Sequence, residues 1–426
     1  LWSISPAAAQ DSPAKTVATP KTARLTLDEV KQRVLADNKL LQLAGLNVQS
    51  KGYAARAVQA NYFPQIIGHS VYLHFNDDLG TVLTLGGRTV RGPRGRPLVT
   101  FPTATVDVPV VNQDTALNTL MAAQPITDLL KVRQGVKVAR ADEGIARAQM
   151  EKAARELVSG AEQLFWGIWA AERIRDGLRV ATATAEAAAK TGHVDARISL
   201  VESQQALRDA ETQVAELTEQ LNTLLDLPVC TLIDVVPEPL PVAPVQCADA
   251  AVAVALETSP EIHEAEENVH KAQAAVAAAK LDYVPSIAAV GGYLNQTAAD
   301  YIQSNVGFVG VVGTYTFVDW GKRRNTIRER EQLVSMATLK VQQTQADVEQ
   351  KALKAFRDYE QSAGALKLAG ELVQLREEAF KAVPVAAAAD KVKAGKDLLT
   401  AKVDAVKAEL NQRTAYVKLM SLIGKQ

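Results

Sequence analysis

The side chains best suited to chemistry are scattered along this chain, and their spacing argues against a catalytic or metal centre. The five histidines are His69, His74, His193, His263 and His270. His263 and His270 fall on a predicted helix, where seven residues separate them by about 10 Å, too far to hold one ion. Methionines are few, no Cys/His cluster exists, and no Ser/His/Asp set or close carboxylate pair stands out. No Gly-x4-Gly-Lys-Ser/Thr phosphate loop occurs. The expectation is a non-enzyme without a cofactor.

Two cysteines remain. Cys230 and Cys247 flank the proline-rich stretch that holds Pro237, Pro239, Pro241 and Pro244. In an oxidising compartment they would close a loop worth about 3 kcal/mol in the chain-entropy model; the other reading is two unpaired thiols. The first ten residues read as the end of an apolar export signal, with Ala7-x-Ala9 as the cleavage site, or else as a plain disordered tail. Export favours the disulfide. Around Gly86–Pro97 four arginines would either grip an anionic surface such as lipopolysaccharide or simply be solvated. A net charge of −1 gives no field to recruit nucleic acid.

The elements around these residues come in two copies. Tyr62, Pro64, Ile66, Tyr72 and Leu73 recur as Tyr283, Pro285, Ile287, Tyr293 and Leu294, at an offset of 221 (285 − 64). Upstream, Leu35, Ala44, Asn47 and Val48 recur as Leu256, Ala265, Asn268 and Val269. Such duplication means two copies of one supersecondary unit. Apolar periodicity predicts helices over 27–62, 129–190, 199–227, 248–283, 320–390 and 398–423, and strands from 65, over 115–126, 286–295 and 305–317. Pro64 and Pro285 mark the helix-to-strand switches. Residues 76–112 read as a long loop. The domains follow: 1–24 signal remnant and flexible leader, 25–227 first helix-strand-strand-helix repeat, 228–247 Pro-rich linker, 248–426 second repeat.

No run of eighteen apolar residues exists, so a membrane role would fall to strands. Four antiparallel strands leave two open edges, which a bilayer does not tolerate. Eight strands is about the minimum for an outer-membrane barrel, so two or three chains would have to combine. Aromatic residues gather at the junctions: Tyr62, Phe63, Tyr283, Tyr315, Phe317 and Trp320, where an interfacial girdle would sit. A soluble periplasmic coiled-coil adaptor or tether is the alternative, but it leaves the strands unexplained.

At Phe317, Asp319, Trp320, Gly321 and Lys322 the chain resembles the TolC-type outer-membrane efflux protein family, whose second repeat leaves the barrel through a Phe-Asp-x-Gly-(Arg/Lys) segment. Gln124-Pro-Ile-Thr-Asp-Leu129 is similar to the first-repeat counterpart, at an offset of 191 (315 − 124). The resemblance implies a mainly α fold with a membrane β-barrel: a long α-helical coiled-coil barrel, plus four β-strands per chain that complete a 12-stranded barrel as a homotrimer. It implies an outer-membrane location with a large periplasmic portion, contact with outer-membrane lipid, and a periplasmic adaptor coupling the duct to an inner-membrane transporter. It further places a periplasmic gate at Asp397 and Glu202, with Arg197 as partner, and adaptor contacts at Leu200, Val201, Leu398 and Leu399. Nearer the helical turns the offset between halves becomes 198 (398 − 200), which predicts one extra heptad ahead of the second turn and a kink near Pro384.

Overall fold

A computed structural model describes residues 22–424, apart from 78, 88, 92–96, 101–102, 191–193, 237, 240–243, 300–301 and 384–387. The export signal, Pro384 and three of the four arginines in 86–97 therefore lie outside the described residues. In chain order the elements are β1 (Thr22–Leu25), α1 (Leu27–Asp37), α2 (Lys39–Ala60), β2 (Gln65–His74), β3 (Leu79–Leu85), β4 (Thr89–Arg91), β5 (Pro97–Thr100), β6 (Ala104–Val111) and β7 (Asp114–Pro125). They continue as α3 (Leu129–Ala189), α4 (Val194–Leu224), β8 (Leu232–Val235), α5 (Ala248–Thr258), α6 (Pro260–Lys280), β9 (Ser286–Gln296), β10 (Asn305–Thr314), α7 (Lys322–Ala382) and α8 (Ala388–Leu422). Two compact units result: one takes residues 1–50, 143–268 and 337–426, the other 51–142 and 269–336.

The second unit is built on a four-stranded antiparallel sheet in the order β10-β9-β7-β2. These are the four strands predicted from alternation. Both outer strands, β2 and β10, offer an unpaired edge within this sheet. The register sets Ser70 opposite Asn118, Asn118 opposite Asn295 and Asn295 opposite Asn305. Hydrogen bonds follow that line: Ser70 Oγ to Asn118 Oδ1 (2.6 Å), Asn118 Nδ2 to Asn295 Oδ1 (3.3 Å) and Asn295 Nδ2 to Asn305 Oδ1 (2.8 Å). Gly292 has no room for a side chain: a Cβ there would meet Phe308 Cζ at 2.7 Å and the Leu120 carbonyl at 2.8 Å.

The segment predicted as a loop, 76–112, is largely strand instead. β3 pairs antiparallel with β6, and β4 with β5. Gly, Pro and Thr diluted the alternation on which the strand reading depended.

The first unit has a core of Phe165, Trp166, Ile168 and Trp169 on α3, packed with Leu221 of α4, Leu225 just after it, Val30 and Val34 of α1, and Val417 of α8. Fully burying such side chains contributes roughly 1.5–3 kcal/mol each. β1 and β8 form a parallel pair beside it, with Leu25, Ile233 and Val235 in the core. Thus Thr22–Arg24, expected as the end of a flexible leader, is strand, and so is part of the proline-rich linker. Arg413 of α8 is only 3 % exposed; its guanidinium lies 3.9 Å from the Trp166 ring centroid and donates to Glu409 and to the Glu238 carbonyl.

Two helices predicted as continuous are broken at equivalent positions. Asn38 separates α1 from α2, its side-chain oxygen accepting from the Leu40 and Leu41 amides and its Nδ2 donating to the Leu224 carbonyl. Ser259 separates α5 from α6, whose first residue is Pro260. The seven extra residues of the second half are also found: the offset grows from 191 at Asp128 and Asp319 to 198 at the ends of α4 and α8 (422 − 224). α3 and α7 contain 61 residues each, whereas α4 has 31 and α8 has 35, so four of the seven lie within α8 and not ahead of the turn.

Candidate functional site

The candidate residues fall into two groups, one in each unit. In the sheet-containing unit, Pro64 and Pro285 stand directly before β2 and β9, where the sequence placed the switches. Proline lacks the amide that a further helical turn would use, and it biases the preceding residue towards extended backbone. Val284 is extended accordingly, at φ −87° and ψ 131°.

Asp319 starts α7. Its Oδ1 accepts from the Gly321 amide at 3.0 Å and its Oδ2 from the Arg323 amide at 3.1 Å. Those amides hold its carboxyl below the usual range, Arg323 first and Gly321 next. An aspartate in this place satisfies amides that a helix start leaves open. Trp320 and Gly321 both have positive φ, 53° and 85°. The glycine of the Asp-x-Gly segment thus supplies a left-handed turn that a side chain would strain. Lys322 contributes its amide to the Asp319 carbonyl, but the basic side chain that engages the aspartate is Arg323, with Nε at 3.6 Å. Arg323 also covers the Tyr315 and Tyr283 rings at 5.0 and 5.7 Å. Phe317 and Trp320 stand out at 88 % and 95 % exposed.

The first-repeat counterpart is tied to the second switch. Thr127 Oγ1 accepts from the Ile287 amide at 2.7 Å, and Ser286 Oγ donates to Asp128 Oδ2 at 2.5 Å. Lys131 then reaches Asp282 at 3.0 Å. Gln124 Nε2 donates to the Tyr62 carbonyl beside the first switch. Asp128 and Asp319 differ by 191 (319 − 128), the offset read from the sequence.

In the helical unit, Glu202 and Asp397 lie more than two turns into α4 and α8. That is about 12 Å or more along each axis from the helix start, so neither sits in the field of a helix N-terminus. The expected partner Arg197 does not hold Glu202: Lys396 does, at 2.9 Å. Asp397 pairs with Arg376 of α7 at 3.1 Å. Close by, Glu377 pairs with Lys402 at 2.8 Å, and the Lys402 ammonium holds the Glu377 carboxyl below its ordinary range. Glu202 of α4 and Lys396 of α8 thus bring opposite charges from the two hairpins together. Arg376 and Lys396 were missed from sequence, because one helix pattern does not say which basic residue a neighbouring helix will present.

The adaptor candidates separate. Val201 is 63 % exposed, Leu200 and Leu398 are half-buried, and Leu399 lies 3.7 Å from where a Cβ on Gly177 would be. Val180, Val194, Ile198 and Leu375 are strongly exposed near the same hairpins and were not singled out. Cys230 and Cys247 are separate, exposed thiols; the expected bridge is absent from this structure.

Residues 251–425 match the family model described as outer membrane efflux protein. Several solved structures share the fold. One is the outer-membrane channel OprN, at 15% identity, TM-score 0.74, covering 94% of this chain and 90% of that one. Another is the open state of the Neisseria gonorrhoeae MtrE outer membrane channel, at 16% identity, TM-score 0.72, covering 93% and 88%. A third is the outer membrane protein VceC of Vibrio cholerae, at 12% identity, TM-score 0.69, covering 93% and 96%. No curated protein sequence matches the chain.

Proposed function

Because the chain carries an outer membrane efflux protein domain over residues 251–425 and has the fold of outer-membrane channels, we propose that it is the outer-membrane duct of a tripartite efflux or type I secretion system. It is a passive conduit. An inner-membrane transporter supplies the energy, and a periplasmic adaptor connects the two.

The observation that carries this reading is the four-stranded sheet with open edges at β2 and β10. Its strands hold a single Asp, Glu, Lys or Arg, Asp114. In a hydrocarbon layer such edges must be paired, and closure with other copies pairs them. Three copies give twelve strands. Among the described residues no helix is long and apolar enough to cross a membrane. In this reading the strands are the spanning elements. The exposed Phe63, Phe317 and Trp320 suit the interface on the side where the strands meet the helices.

At the other group, Asp397 and Glu202 form the gate. Paired to Arg376 and Lys396, these carboxylates hold the hairpins in one arrangement, and symmetry copies of them would narrow the path with negative charge. Exposed Val201 contributes to the adaptor contact, together with the half-buried Leu200, Leu398 and Leu399. The soluble-tether alternative is not favoured, since it gives the sheet no role. The test is reconstitution of the purified protein in planar bilayers. Discrete single-channel steps are expected; a membrane that stays silent with the protein demonstrably inserted would refute the duct.

A further inference from the structure

The helical unit has two open sides, and their chemistry matches. α8 packs between α3 and α7: Leu399 lies against Gly177 of α3, while Asp397 and Lys402 pair with Arg376 and Glu377 of α7 at 3.1 and 2.8 Å. α4 is held by α3 through Glu211 and Arg179 at 3.1 Å, and by α8 through Glu202 and Lys396. Among the described residues no hydrogen bond or ion pair joins α4 to α7, and each leaves one side to solvent.

On α7 that side is Leu368, Leu372 and Leu375, at 67 %, 43 % and 62 % exposed; on α4 it is Val194, Ile198 and Val201, at 68 %, 52 % and 63 %. Both runs are spaced i, i+4, i+7, which sets each on a single helix face. Charge distinguishes the two stripes. Glu371 lies between Leu368 and Leu375 at the spacing with which Arg197 lies between Val194 and Val201, and Glu378 adds a second carboxylate beyond Leu375. All three charged residues are exposed, and no ion pair holds any of them among the described residues.

We infer that α7 of one copy packs along α4 of the next, with Arg197 facing Glu371 and Glu378 across the seam. The occupant of each stripe is a second copy of this chain, and the contact is head-to-tail. α7 against α7 would set glutamate against glutamate, and α4 against α4 would set arginine against arginine. A head-to-tail contact is the kind that closes a ring. The inference rests on the duct reading, in which other copies close the β10 edge, and β10 runs on in the chain to α7. It gives Arg197, which does not hold Glu202, a role between copies. Val201 ends the α4 stripe, so the proposed adaptor contact borders this seam.

Cysteine cross-linking of the full chain in outer membranes tests this, in a background where the two exposed thiols are removed by Cys230→Ser and Cys247→Ser. Ile198→Cys is combined in turn with Leu368→Cys, Leu372→Cys and Leu375→Cys, and each pair is oxidised. At least one pair should give a denaturing-gel ladder that ends at three chains, and no single-cysteine variant should link. Arg197→Glu should cut that yield about threefold, and adding Glu371→Arg with Glu378→Arg should restore it. Three results would overturn the inference while the detergent-extracted wild type still weighs three chains. They are a ladder missing from every pair, dimers from Leu372→Cys alone, or a yield that the charge reversals neither lower nor restore. A wild type that weighs one chain would overturn the duct reading itself, and this inference with it.

Discussion

At the scale of single residues, two positions carry the argument. Gly321 at φ 85° and Asp319 with two accepted amides together make the start of α7. Gly321→Ala should cost about 1–2 kcal/mol, the penalty for a side chain in left-handed backbone, measured by thermal unfolding. Asp319→Ala should lower the same midpoint, and Asp319→Asn should recover most of it, because asparagine caps nearly as well. At the hairpins, Asp397→Ala should raise single-channel conductance and weaken block by divalent cations. Arg376→Ala should raise conductance while divalent block persists, since the carboxylate stays in place. Identical behaviour of the two variants would show that the ion pair, and not the carboxylate, is what matters. The Asp-x-Gly signature was legible because it is local, three residues whose types dictate the turn. The partners Lys396 and Arg376 were not, because they depend on how helices face one another.

At the scale of elements, alternation over ten or more residues made β2, β7, β9 and β10 readable, and two prolines fixed where two of them begin. The pairing of β1 with β8 left no local trace, being four residues matched to a partner about 210 residues away. The break at Ser259 did leave one: serine followed by proline is a familiar helix boundary. Its equivalent at Asn38 depends on a side chain that caps α2 and reaches the Leu224 carbonyl, which a periodicity scan does not see. Long helices need fastening between such breaks, and Glu261 of α6 provides it, bonded to Lys351 of α7 at 2.9 Å and Lys152 of α3 at 3.0 Å. Burial by itself would raise its carboxyl, but the two ammonium groups outweigh burial and hold it below the ordinary value. A depressed folded value means that its stabilisation is complete above about pH 4.3 and is lost as pH falls through the folded value. Glu261→Gln should therefore lower stability by up to about 1 kcal/mol at pH 7. The gap to wild type should close on acidification towards pH 3. A gap independent of pH would mean that packing, and not charge, is what Glu261 supplies.

At the scale of the whole molecule, the 221-residue repeat was visible in the sequence and its consequence is visible in the sheet. Each half contributes two strands, β2 and β7 from the first and β9 and β10 from the second. The halves are not identical. Their long helices match in length, while α8 exceeds α4 by four residues and the paired charges differ, Glu202 in one hairpin meeting Lys396 in the other. Pseudo-symmetry in the sheet and asymmetry at the hairpins are what the proposed duct would need if its wall is fixed and its gate is the part that moves. All of this depends on one claim, that the open edges of β2 and β10 are closed by other copies of the chain. Measuring the mass of the protein extracted from outer membranes in detergent, with bound detergent subtracted, tests it directly. Three chain masses in a detergent-dependent particle is the predicted result; a monomer that stays soluble and monodisperse without detergent would contradict it.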